Sequence, residues 1–94
     1  MFDKKKYSLL QRVKIEKMTG ADLDREAQKA PVEELLELGY HAMSWFRNNP
    51  NTPNEIGEFT MFVVIKELAI RDIEPPWSEL QDMWRMLKDT FNEL

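Results

Sequence analysis

His41 is the only histidine in the chain, and two carboxylates precede it at helical spacing. Glu37 stands four residues before it and Glu34 three before that, so on a helix the three form a line of carboxylate, carboxylate and imidazole. A line of this kind could serve acid–base chemistry or supply part of a metal site. A metal would need further ligands from other elements. The Glu-x-x-His spacing of helical di-iron proteins is absent, because Leu38 stands three before His41. A solvated or partner-contacting helix face is the stronger expectation, and no metal or cofactor is expected.

Nucleophilic and phosphate chemistry find even less. Ser8, Ser44 and Ser78 lie in no Gly-x-Ser-x-Gly context, and no HExxH appears. Gly20, Gly39 and Gly57 are too far apart to cradle a phosphate. The absence of cysteine removes disulfides, thiolate zinc sites and cysteine nucleophiles. Acid pairs such as Glu55 and Glu58 read as a solvated face on an acidic helical protein. The chain is therefore expected to be non-enzymatic, with no catalytic residue and no small-molecule substrate.

Charge gives a second constellation. Residues 1–18 hold Lys4, Lys5, Lys6, Arg12, Lys14 and Lys17 against Asp3 and Glu16, a net of +4. Residues 19–94 carry −8, which brings the chain to −4. The six basic residues, with Tyr7 among them, could meet nucleic-acid phosphates. Against this, the segments after Thr19 and Pro31 are acidic, where a helix-turn-helix would need a basic recognition helix. Nucleic-acid regulation through the basic segment is the alternative reading. The simpler one is that the segment pairs with the acidic body.

The elements that must position these residues come from apolar spacing and Pro/Gly punctuation. The 94 residues suit a single helical domain, residues 1–94, with 1–18 as its basic N-terminal segment. The spacing predicts a first helix over 4–18 capped by Asp3, and a short one over 20–29 capped by Thr19. A helix over 31–47 opens on Pro31 and carries Val32, Leu35, Leu36, Met43 and Phe46 on one face. Gly39 in its middle costs about 1 kcal/mol relative to alanine, which a close helix crossing would offset. The Asn/Pro run 48–54 is a loop that ends in the potential cap Asn54. Residues 55–73 form the most apolar helix, expected at the centre. Pro75-Pro76 then breaks the chain before a helix over 77–93.

That last helix has the cleanest pattern. Trp77, Leu80, Trp84, Leu87, Phe91 and Leu94 recur at alternating spacings of three and four, a heptad seam with Met83 beside it. The expected fold is all-α, a compact bundle of four main helices plus one short helix. Its core is expected to contain Leu10, Val13, Leu35, Leu36, Met43, Phe46, Phe59, Phe62, Val63, Leu68, Ile70, Leu80, Trp84, Leu87 and Phe91. No apolar run approaches the length of a membrane span, and a cytoplasmic protein is the default expectation.

The seam would serve well as packing against 55–73. Two helices nevertheless look apolar on more than one side, more than a small domain readily covers. Trp45, Trp77, Met83 and Trp84 are therefore the expected contact residues of a regulatory or adaptor-like interaction domain, its partner another protein or a second copy of itself. Brevity and an Asn-, Glu-, Lys- and Met-rich helical make-up are of the kind met in bacterial and phage accessory proteins.

Overall fold

The computed structural model describes residues 7–18 and 20–92. Five α-helices follow one another: α1 (Leu9–Glu16), α2 (Gly20–Lys29), α3 (Val32–Asn48), α4 (Glu55–Ile70) and α5 (Gln81–Asn92), with a 3₁₀ turn over Ser78–Leu80 leading into α5. The fold is an all-α bundle, as the periodicity predicts. The expected cap Asp3, the expected cap Thr19 and the lysines Lys4, Lys5 and Lys6 lie outside the described residues, as does Leu94.

α1 begins at Leu9 because Ser8 caps it. The Ser8 side chain accepts from the Gln11 amide, and the Gln11 side chain accepts from the Ser8 amide at 2.9 Å, a reciprocal capping box. Lys17 ends the helix in the left-handed region, at φ 53°. α2 runs over 20–29, as expected, and buries Leu23 and Ala27. α3 starts after Pro31, whose carbonyl accepts from the amides of Glu34 and Leu35.

α4 is the central helix, packed by α2, α3 and α5, while α1 lies mainly on α3 and α2. Asn54 caps it by accepting from the Gly57 amide at 2.9 Å. It stops at Ile70, three residues short of the expected end. Asp72 turns into the left-handed region at φ 58°, and the Ile73 amide returns to the Leu68 carbonyl at 2.8 Å.

One buried cluster unites Leu9, Leu23, Leu35, Leu38, Met43, Met61, Val63, Val64, Ile65, Leu68, Trp77 and Trp84, among others. Leu10, Val13, Leu36, Phe46, Leu80, Leu87 and Phe91 pack against its edge, half-buried. Three expected core residues do not belong there. Phe59, Phe62 and Ile70 are 39%, 40% and 56% exposed, because α4 has neighbours on three sides and these residues lie on or beside its open side.

The heptad seam also resolves differently from a contact surface. Trp77 precedes the 3₁₀ turn, only 1% exposed, with its ring laid across Gly39 of α3. Tyr40 meets that ring edge-on, with centroids 5.4 Å apart. Trp84 is 9% exposed and belongs to the core. Among the described residues no helix is long and apolar enough to cross a membrane.

Candidate interaction surface

The acid line before His41 is occupied in holding α1. Glu34 accepts from the Leu9 amide at 2.6 Å, and Glu37 accepts from the Ser8 hydroxyl at 2.7 Å. Both carboxylates thus sit at the N-terminal end of α1, where orphan amides and the positive end of the helix dipole favour an anion. His41 lies one turn further along α3 and lines a cleft instead. Among the described residues no group of three or more His, Asp or Glu side chains is arranged to hold a metal.

The basic residues are dispersed as well. Arg12 is buried and pairs with Glu26 of α2, so it is no part of a phosphate-binding face. Lys29 approaches the same carboxylate at 3.8 Å from the solvent side. Lys14 and Lys17 are exposed; Lys14 borders an apolar cleft, and Lys17 forms the left-handed end of α1.

What the fold does gather is apolar surface around the first half of α4. Ile56, 65% exposed, is followed at i+3 and i+6 by Phe59 and Phe62. Three clefts open beside this stretch. One, of about 190 Å³ between α1, α3 and α4, is lined by Leu10, Val13, His41, Trp45, Phe46 and Ile56. A second, of about 160 Å³, lies between α2 and α4 and includes Leu23, Ile56 and Phe59. The third and largest, about 410 Å³, lies between α3, α4 and the start of α5, lined by Met43, Phe46, Pro50, Met61, Leu80 and Met83.

Of the four expected contact residues, the fold brings Trp45 and Met83 to these clefts and buries Trp77 and Trp84. Sequence reasoning placed Ile56 inside the apolar helix and assigned Phe59 and Phe62 to the core. A signal for the open side was available. At 100° per residue, Glu55, Glu58, Phe59, Phe62 and Lys66 fall within an arc of about 100°, and three charges in one arc of an apolar helix mark its solvent side.

One ion pair and one further carboxylate border the largest of these clefts. Arg47 donates to both oxygens of Glu79 at 2.7 Å, closing one border of the largest cleft. The Arg47 hydrogen bond pulls the Glu79 carboxyl down to about 2, and the same contact raises Arg47. Glu58 borders the same cleft and is exposed, with no cation at ion-pair distance among the described residues, while Glu55 borders the cleft between α2 and α4.

Compared with protein-family models, with curated proteins and with solved structures, the chain matches none.

Proposed function

We propose that the protein is a non-enzymatic interaction domain, adaptor- or regulator-like and cytoplasmic, that works by presenting the first half of α4 to another protein. One observation carries this reading. On the most apolar helix of the bundle, Ile56, Phe59 and Phe62 face solvent in register, with an apolar cleft on either side of Ile56. A large exposed apolar stripe is costly unless a partner covers it, and aromatic and methionine side chains are the residues that interface cores favour. The polar groups that first suggested chemistry have structural occupations: Glu34 and Glu37 hold α1, and Arg12 joins α1 to α2.

The test compares the wild-type chain with an Ile56→Asp, Phe59→Asp variant. Both positions are exposed, so the variant is expected to retain its helical circular dichroism and its melting behaviour. Light scattering across a concentration series detects self-association, and affinity capture from the native host detects other chains. The wild type is expected to retain a macromolecule that the variant loses. A wild-type chain that stays monomeric and retains nothing the variant fails to retain would refute the proposal.

A further inference from the structure

We infer that the chain pairs with a second copy of itself through α4, the two helices antiparallel about a two-fold axis between Thr60 and Met61; this names the partner in the contact reading above and rests on it. The open side of α4 carries a line of residues whose spacing is the same in both directions. Glu55, Phe59, Phe62 and Lys66 recur at steps of four, three and four. At 100° per residue they fall within about 60° of one another, a seam of the coiled-coil kind. Glu55, Phe59 and Phe62 are exposed, and Lys66 is half-buried. The α2/α4 cleft, bordered by Glu55 and Phe59, opens on one side of this seam, and the α3/α4/α5 cleft, bordered by Glu58, on the other. The seam is therefore a ridge between two clefts.

A two-fold axis sets one patch against itself. Turned about its midpoint, this seam places Phe59 opposite Phe62 of the second copy and Phe62 opposite its Phe59, so one operation makes two aromatic contacts. The same operation places Glu55 opposite Lys66 of the second copy, twice over. Glu55 has no cation at ion-pair distance among the described residues. Lys66 pairs with Asp24 of α2, and its ammonium has three donors, enough for both carboxylates. The rings thus supply the affinity, and the charges choose the direction. A parallel pairing would set Glu55 against Glu55 and Glu58 against Glu58. The antiparallel one holds the two Glu55 side chains about 16 Å apart along the helix axes and leaves Glu58 on a solvated flank. A second copy needs this reversal symmetry, and an unrelated partner does not. Four residues from each helix make a small interface, so the dimer is weak and concentration-dependent.

Sedimentation equilibrium of the full chain from about 10 μM to about 1 mM covers the range of a weak dimer. The wild type is expected to pass from monomer towards dimer across it. Phe62→Asp is expected to weaken the dimer about tenfold or more, while Ile15→Asp, an exposed apolar position on α1, stays within about twofold. Circular dichroism is expected to show both variants as helical as the wild type. Glu55→Lys is expected to weaken the dimer about threefold or more and Glu58→Lys to stay within about twofold, because only Glu55 faces a cation of the other copy. The chain has no cysteine, so introduced thiols report the register directly. Glu55→Cys and Lys66→Cys chains, mixed and treated with a short bismaleimide, are expected to join to each other. Either chain alone is expected to join at least about fivefold more slowly, since like positions lie about 16 Å apart along the axes.

A chain that stays monomeric to about 1 mM overturns the inference. So do equal losses in Phe62→Asp and Ile15→Asp, equal effects of Glu55→Lys and Glu58→Lys, or like positions that join as fast as the mixed ones. A monomeric chain that still captures another protein through Ile56 and Phe59 leaves the contact reading standing, and one that captures nothing removes both.

Discussion

Gly39 offers the sharpest quantitative test of the packing. A Cβ built on Gly39 would lie 2.8 Å from Cζ2 and 2.9 Å from Cζ3 of the Trp77 ring, and closer still to Cη2. Non-bonded carbons sit best at about 3.5–4.0 Å, so in Gly39→Ala the ring or the helix must retreat by roughly 1 Å or more. The ring has little room to do so. Trp77 is almost fully buried, meets Tyr40 edge-on and follows the buried Pro75. Overpacking of this kind costs about 1–3 kcal/mol, while exchanging a mid-helix glycine for alanine returns about 1 kcal/mol of helix propensity. With a confined ring the upper end applies, and the net loss is about 2 kcal/mol, a fall in Tm of roughly 8–16 °C for a domain of this size. Urea unfolding and thermal circular dichroism measure it. Trp77→Phe removes the three ring carbons that collide, so Gly39→Ala in that background should cost about 1–2 kcal/mol less, a coupling that a double-mutant cycle isolates. A Gly39→Ala protein as stable as the wild type would refute the argument, as would an equal loss in both backgrounds.

Arg12→Met should destabilise by about 3 kcal/mol in urea, because it strips the buried partner from Glu26, whereas Lys29→Met, on the exposed side of the same carboxylate, should cost under about 1 kcal/mol. Similar losses for the two variants would contradict that ranking. Lys17→Gly should stabilise by about 0.5–1 kcal/mol, since lysine there holds a left-handed conformation that glycine adopts without strain, offset by greater chain entropy in the unfolded state; a loss in urea would count against the turn. The depressed Glu79 carboxyl contributes stability that is complete above the ordinary carboxylate range and is lost as pH falls from 4.5 towards about 2. Carboxyl NMR should find its midpoint near 2 in the wild type and back towards 4.5 in Arg47→Gln, and an unchanged midpoint between the two would show that Arg47 is not the cause.

Helix identity was legible because apolar spacing and punctuation agreed: Pro31, the Asn/Pro run and Pro75-Pro76 all fall at breaks between helices. Gly39 correctly signalled a close approach, although an indole ring rather than a second helix fills the space. Ends were less legible where backbone geometry decides them, as at Asp72, whose left-handed turn has no strong signature in an apolar-polar pattern. The Ser8–Gln11 capping box was present in the sequence but was overridden by a lysine-rich lead-in that resembles helix. The surface was the least legible part. Apolar content alone cannot say which side of α4 its neighbours leave open, and the heptad seam reads the same whether it packs inward or against another chain. For that reason Trp77 and Trp84 entered the core, while Phe59 and Phe62 came to solvent. The fate of Arg12, Glu34 and Glu37 depended on which helices meet, which local spacing does not encode.

The capping of α1 by two carboxylates of α3 has a counterpart at the other short helix. The Arg71 guanidinium, just past the end of α4, donates to the carbonyls of Ala27 and Gln28 at 3.1 and 3.2 Å, and Lys66 pairs with Asp24. α1 has 8 residues and α2 has 10, both below the roughly 12–15 that an isolated helix needs for even marginal stability in water. Each therefore borrows its terminal hydrogen bonds from a longer helix. Amide exchange with solvent must then be nested: an opening of α3 frees α1 and an opening of α4 frees α2, while each short helix opens alone at lower cost. Protection factors in α1 and α2 are bounded from above by those of the helices that hold them.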